Sequence, residues 1–196
     1  ENVNDAPTSS GTAVALNEGA ENTFKLAYTD SDTNIDAIEF TVVTQPSHGN
    51  FTSNPVVSTD GSVSYKHDGG ETTTDSFTYK VSDGEFTTDA KTVTFTITPV
   101  NDLPVAAAKT LTVAESATAT VAATGTDIET TDANLTFKLI TDGTNGKASI
   151  SADNIISYTH SGGENTSDSF TYAAYDGTAY GNPATVTVTV TAVLTS

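Results

Sequence analysis

The chain has 196 residues, with 25 acidic against 7 basic side chains and a formal net charge of -18. All the cations are lysines, and phosphate recognition needs dense Lys/Arg neutralisation, so the balance argues against nucleic acid and disfavours anionic membrane surfaces as partners. Without cysteine no disulfide framework exists, and no apolar run approaches the roughly 20 residues of a membrane span, so no membrane insertion by this fragment is expected.

The chain opens on Val3-Asn4-Asp5-Ala6-Pro7, a segment that returns later as a linker. No signal peptide precedes it, and the chain is expected to be a piece of something longer. Alternating runs follow near 11–16, 22–28, 36–43, 47–52, 61–66, 76–81 and 92–98, parted by Gly, Asn, Asp and Pro turns. Phe77, Tyr79 and Val81 alternate with Ser76, Thr78 and Lys80. Val93, Phe95 and Ile97 alternate with Thr92, Thr94, Thr96 and Thr98. A period of two in β-branched and aromatic residues marks half-buried strands. Runs at this spacing predict a Greek-key sandwich. No stretch carries the period of a useful amphipathic helix.

Thr98-Pro99-Val100-Asn101-Asp102-Leu103-Pro104 contains two prolines and no glycine, and is expected to be short and stiff. There the pattern restarts. Asn4-Asp5-x-Pro7 recurs as Asn101-Asp102-x-Pro104 at an offset of 97, with Glu18 on Glu115, Asp30 on Asp127 and Asp32 on Glu129. Further on, His67-Asp68-Gly69-Gly70-Glu71 through Tyr79 meets His160-Ser161-Gly162-Gly163-Glu164 through Tyr172, and Asp83-Gly84 meets Asp176-Gly177, at an offset of 93. The change from 97 to 93 is a four-residue deletion expected near Asn54-Pro55. A period this long is a whole domain, so the domains are predicted as 1–100 and 101–196. A third linker copy would begin at Leu194, but Leu194-Thr195-Ser196 lacks Asn-Asp.

The repeated acids are expected in turns and at strand ends, not along strands. Glu18 follows the first strand, Glu71 precedes the sixth, and Asn101-Asp102 leaves the last. Asp127 and Glu129 follow the second strand of the next unit, and Asp176 follows its sixth. Six carboxylates gathered at one junction would repel one another unless a cation joined them. Ca²⁺ takes six to eight oxygen ligands from such groups, and the usual zinc ligands His and Cys are not in the set.

The Asn-Asp-x-Pro linker, the Asp-x-Asp loop and the strand ending in Asp-Gly together resemble the cadherin repeat family. The Gly-Gly-Glu-x-Thr-x-Asp-Ser-Phe-Thr-Tyr stretch is most similar to the cadherin-like repeats of large bacterial surface adhesins, including type I-secreted RTX adhesins. The resemblance spans nearly the whole chain, twice. It implies an all-β fold of two tandem seven-stranded Greek-key, cadherin/Ig-like β-sandwiches, with Ca²⁺ bound between them. It also implies the ligands: Glu18, Glu71, Asn101, Asp102, Asp127, Glu129 and Asp176 at the junction. Asn4, Asp5, Asp30, Asp32 and Asp83 form a weaker N-terminal half-site, and Glu115 and Glu164 a C-terminal one. Pro99 stands where the family's linker usually has an acid, Leu103 replaces a second Asn, and Glu129 replaces Asp. Fewer or weaker ions than at a full cadherin junction are expected.

Acidic turns also occur as plain solvated surface, the alternative to the metal reading. Asp30-x-Asp32-x-Asn34-x-Asp36 looks like a calcium loop, but no EF-hand glycine or terminal Glu follows. His67 and His160, beside Gly-Gly, are expected to make structural hydrogen bonds. Phe77, Tyr79, Phe170 and Tyr172 are expected in the core. No nucleophile elbow, His-Glu-x-x-His or phosphate loop occurs, and the chain is expected not to be an enzyme. The function expected is that of calcium-stiffened extender repeats of an extracellular, cell-surface adhesin, with neighbouring repeats as partners. The alternative is a homophilic or polysaccharide-binding adhesion module, for which the chain offers only loop tyrosines such as Tyr175 and Tyr180 and no tryptophan.

Overall fold

The computed structural model describes residues 3–32 and 37–193. The chain divides into two compact units, Glu1–Val100 and Asn101–Ser196. In the first, β1 (Thr8–Ser9) leads into β2 (Thr12–Asn17), β3 (Glu21–Lys25), β4 (Tyr28–Thr29), β5 (Glu39–Thr44), β6 (Gly49–Phe51), β7 (Ser62–His67), β8 (Thr74–Ser82) and β9 (Lys91–Thr98). One sheet runs β2-β9-β8-β5 and the other β3-β7-β6, with β1 and β4 forming a short ladder of their own. The β2–β9 pair is parallel; the other ladders of this unit are antiparallel. This is the expected sandwich. Its added feature is that the expected run 22–28 splits into β3 and β4 around the buried Leu26. The run predicted from 36 begins outside the described residues and is strand from Glu39.

The second unit repeats the plan with β10 (Val105–Ala106), β11 (Lys109–Ala114), β12 (Thr118–Ala122), β13 (Gly125–Thr126), β14 (Thr136–Thr141), β15 (Gly146–Ile150), β16 (Ile155–His160), β17 (Ser167–Tyr175) and β18 (Ala184–Thr191). Its sheets run β11-β18-β17-β14 and β12-β16-β15. A short 3-10 turn, Asp132–Asn134, precedes β14. The four-residue deletion falls where the offsets put it: Ser62, which opens β7, lies 13 positions after Gly49, whereas Ile155, which opens β16, lies 9 positions after Gly146.

Each unit closes its own core. Val93, Phe95 and Ile97 of β9 point inward with Phe77, Tyr79 and Val81 of β8, while the threonines of β9 stay exposed. Tyr65 stacks on Phe95 at 3.9 Å between ring centroids, and Tyr158 on Phe170 at 5.6 Å. Phe77, Tyr79, Phe170 and Tyr172 are all core residues, as expected. The Tyr79 hydroxyl lies 2.9 Å from Ser10 O and 2.7 Å from Ala27 O, fastening the β1–β2 and β3–β4 corners together. Tyr172 does the same with Ala107 O and Thr124 O.

A second tyrosine in each unit reaches a carboxylate, buried in the case of Asp75 and half-buried in that of Asp168. Tyr65 donates to Asp75 Oδ2 at 2.9 Å, and Tyr158 to Asp168 Oδ2 at 2.7 Å. Asp75 also accepts the backbone N–H groups of Ser47, His48 and Ser76 at 2.8–3.0 Å. Asp168 accepts those of Thr144, Asn145 and Ser169 in the same way. Burial opposes ionisation of both carboxylates, yet their N–H and O–H donors outweigh it and hold them below the usual range. Gly49 and Gly146 recur because a side chain at either would overlap the ring of Tyr65 or Tyr158.

Candidate metal centre

At the N-terminal end of the second unit, chain turns bring four acids and an amide together. β13 ends at Thr126, so Asp127, Ile128 and Glu129 form the turn that follows it. β17 ends at Tyr175, so Asp176 opens the β17–β18 hairpin. Asn101 donates its side-chain amide to Asp176 Oδ2 at 2.9 Å, and the backbone N–H of Asp102 donates to Glu129 Oε1 at 2.7 Å. Asp176 Oδ1 accepts Thr178 N and Ala179 N at 2.6 and 2.7 Å. The Ala179 N–H first, then the Asn101 amide, hold the Asp176 carboxyl below its ordinary value. Asp127 Oδ1 accepts Thr130 N at 2.7 Å, whereas Asp127 Oδ2 is buried with no hydrogen-bond partner.

The first unit builds the same end from its own residues. Asn4 donates to Asp83 Oδ2 at 3.0 Å, and Asp5 N to Asp32 Oδ2 at 2.9 Å. Asp32 N donates to Asp30 Oδ1 at 3.1 Å, and Ser31 Oγ to Asp5 Oδ2 at 2.9 Å. Asp83 is held below its ordinary value chiefly by the Phe86 N–H, with the Asn4 amide contributing. Glu129 therefore stands in for Asp32 without loss of the bond: its longer arm reaches the same linker N–H. Asn34 and Asp36, the remainder of the calcium-loop look-alike, lie outside the described residues.

The opposite end of each unit carries the glutamates. Glu18 Oε2 accepts Val100 N at 3.1 Å, and Glu115 Oε2 accepts Val193 N at the same distance. Carboxylate oxygens of Glu18 and Glu71 lie within 4.8 Å of each other. His67 links their two turns. Its Nδ1 accepts Gly19 N at 3.3 Å and Gly69 N at 3.2 Å, and its Nε2 lies 3.0 Å from Thr72 Oγ1. His160 Nδ1 accepts Gly162 N at 3.2 Å, but Asn165 replaces Thr72 and its Nε2 is buried without a partner. Both histidines are thus structural, as expected. Glu164 is exposed in the corresponding loop.

One expectation needs correction. Asp75 and Asp168 are repeated acids that do lie within strands, β8 and β17. They were missed as a pair, although each occupies the inward parity of its strand, two residues before a core phenylalanine. Tyr175, taken as a loop residue, is the last residue of β17.

An all-oxygen donor set with an anionic oxygen shut away from water suits a hard divalent cation. The family model of the bacterial cadherin-like domain matches residues 4–99 and again residues 101–192. The chain belongs to the bacterial cadherin-like domain family. Cadherin-like domains are adhesion or extender modules and typically non-enzymatic, and these stand in tandem. Among solved structures the pair is similar to the extracellular cadherin domains 1–5 of protocadherin gamma B2, with 13% identity over 97% of this chain and 40% of that one, at a TM-score of 0.50. It is also similar to the protocadherin gamma B4 extracellular domain (18% identity, 97% and 34% covered, TM-score 0.48). An endo-fucoidan hydrolase of glycoside hydrolase family 107 shares 18% identity over 96% of this chain and 29% of its own, at 0.43. At these identities the likeness is one of fold, and this chain spans less than half of each. No curated protein matches. No described helix is long and apolar enough to cross a membrane.

Proposed function

We propose that the two cadherin-like domains are extender repeats of a cell-surface adhesin, exported and extracellular, as in RTX-type proteins. In this reading Ca²⁺ joins one repeat to the next. The buried, unpartnered Asp127 Oδ2 carries the reading. An anionic oxygen out of water costs several kcal/mol unless something positive meets it, and here Glu129, Asp102 and Asp176 belong to the same end of the unit. Asn101, Asp102, Asp127, Glu129 and Asp176 would hold the ion from below, and Glu18 and Glu71 from above. Bound Ca²⁺ would cancel the repulsion between these carboxylates and fix the linker, which has no glycine to flex. Asn4, Asp5, Asp30, Asp32 and Asp83 would meet the end of a preceding repeat, and Glu115 and Glu164 the start of a following one. No catalytic step is assigned to any of these groups.

Melting temperature and maximum dimension by small-angle scattering, each with calcium and with EGTA, test the proposal. Ligand at 100 times its Kd adds about 2.7 kcal/mol to stability, so a higher melting temperature and a longer, narrower particle are expected with calcium. Indistinguishable values of both overturn it.

A further inference from the structure

The β17–β18 hairpin of the second unit carries an aromatic pair that the repeat plan does not require. Tyr175 and Tyr180 face each other across an isolated antiparallel bridge, with ring centroids 4.6 Å apart and an interplanar angle of 31°. Asp176 N donates to Ala179 O at 3.3 Å and Gly181 N to Ala174 O at 3.0 Å, so two backbone bonds flank the pair. Tyr175 and Tyr180 are thus a non-hydrogen-bonded pair, the kind in which facing side chains stand closest. The Tyr175 hydroxyl donates to Gly177 O at 2.8 Å, and Lys138 Nζ lies 5.7 Å from the Tyr180 centroid, within cation–π reach. In the first unit the same bridge joins Ser82 to Thr87, and Ser82 Oγ holds the turn by donating to Phe86 O and accepting Gly84 N. The hairpin therefore closes without tyrosines.

Composition gives the pair its chemistry. Cysteine and methionine are the usual targets of oxidants, and the chain has neither, nor any tryptophan. Oxidation then falls on the 7 tyrosines. Tyr65, Tyr79, Tyr158 and Tyr172 are fully buried, and Tyr28 is half-buried against Phe40. Tyr180 is 47% exposed, and the ring it meets, Tyr175, is half-buried. Among the described residues the other tyrosine ring contacts are with phenylalanines, which form no phenoxyl radical.

We propose that Tyr175 and Tyr180 are a modification site, at which a one-electron oxidant driven by hydrogen peroxide couples the two rings into an intramolecular dityrosine. Each phenol gives up one electron and one proton. The two radicals join through ring carbons ortho to the hydroxyls, and the hydrogen on each of those carbons moves to oxygen to restore the phenols. One hydrogen peroxide takes up the two electrons and two protons and leaves as two waters. The new bond closes Asp176, Gly177, Thr178 and Ala179 into a covalent ring. Asp176 accepts the Asn101 amide, so the link staples the turn that the linker grips. It also restricts the unfolded chain as a disulfide would, in a chain without cysteine.

Treatment of the dilute two-repeat chain with hydrogen peroxide and a haem peroxidase tests this. Blue dityrosine fluorescence is expected on a species that stays monomeric on a denaturing gel and is lighter by two hydrogens, with peptide fragmentation that stops between Tyr175 and Tyr180. Its melting temperature should exceed that of the untreated chain. Tyr175→Phe and Tyr180→Phe keep both rings and should melt like the untreated parent, yet each should lose the fluorescence. No dityrosine in the parent overturns the proposal. So does equal fluorescence from either variant, or product found mainly as covalent dimers, which places the coupling between copies. An unchanged melting temperature in the coupled product overturns its role as a staple.

Discussion

Asn101 holds Asp176 by a 2.9 Å hydrogen bond, and its counterpart Asn4 holds Asp83 at 3.0 Å. The linker thus grips the β17–β18 hairpin through an amide, while its next residue grips the Asp127–Glu129 turn through a backbone N–H. The amide organises carboxylates without adding charge. Asn101→Ala should leave the second unit folded, because Asp176 keeps its bonds from Thr178 N and Ala179 N. Calcium affinity should fall by about tenfold, equivalent to roughly 1.4 kcal/mol. Calorimetric titration against the parent chain checks it; unchanged affinity removes Asn101 from the site.

Asp75 and Asp168 set the acid limit of each repeat. Both folded-state pKa values are lowered, so the stability they contribute is fully present above the unfolded value of about 3.9 and is lost as pH falls through the folded one. Melting temperature in EGTA should be flat from neutral pH down to about pH 5 and then drop. Asp75→Ala leaves Ser47 N, His48 N and the Tyr65 hydroxyl unsatisfied and should destabilise the first unit by about 3 kcal/mol. Urea unfolding reads the change, and a loss near zero would show that water replaces the carboxylate.

The corner tyrosines predict a smaller effect. Tyr79→Phe removes the hydroxyl that spans Ser10 O and Ala27 O but keeps the ring. A loss of about 1 kcal/mol is expected in the first unit, and the same for Tyr172→Phe in the second. Urea midpoints of the two variants check it.

These two tyrosine–backbone and tyrosine–carboxylate clips also show what could be read from the chain and what could not. The alternation of Val93, Phe95 and Ile97 with threonines announced a strand because burial on one face forces a period of two. The order of Glu18, Glu71, Asn101-Asp102, Asp127 and Asp176 announced their ends of the units because turns alternate between poles. The β1–β4 ladder was not legible, since two residues such as Thr8–Ser9 have no period. Asp75 was legible and overlooked: an acid at the parity of Phe77 and Tyr79 points inward and must be bonded there. The bond between Glu129 and Asp102 N depends on side-chain reach, which spacing does not encode.

Each repeat should fold without its neighbour and without calcium. Val14 to Ile97 and Ala106 to Val190 form separate clusters of buried residues, so metal is expected to set geometry between repeats and not to drive folding as in a zinc finger. Residues 1–100 and 101–196, expressed apart, should both give well-dispersed two-dimensional NMR spectra in EGTA. Collapsed spectra for both contradict this.

Glu18 and Glu115 give the most direct test of a shared calcium site. Each accepts one backbone N–H at 3.1 Å, from Val100 and Val193, so removing either costs its unit the same local bond. In the 196-residue chain only Glu18 is followed by an Asn-Asp pair and a second unit, because Leu194-Thr195-Ser196 carries none. Calcium titration by calorimetry, with scattering on the same samples, compares Glu18→Ala with Glu115→Ala. If calcium is held jointly across the linker, Glu18→Ala weakens the tightest site and bends the pair, while Glu115→Ala leaves both nearly unchanged. Equal effects of the two substitutions contradict the shared site and leave these glutamates as surface charge or as ligands within single repeats.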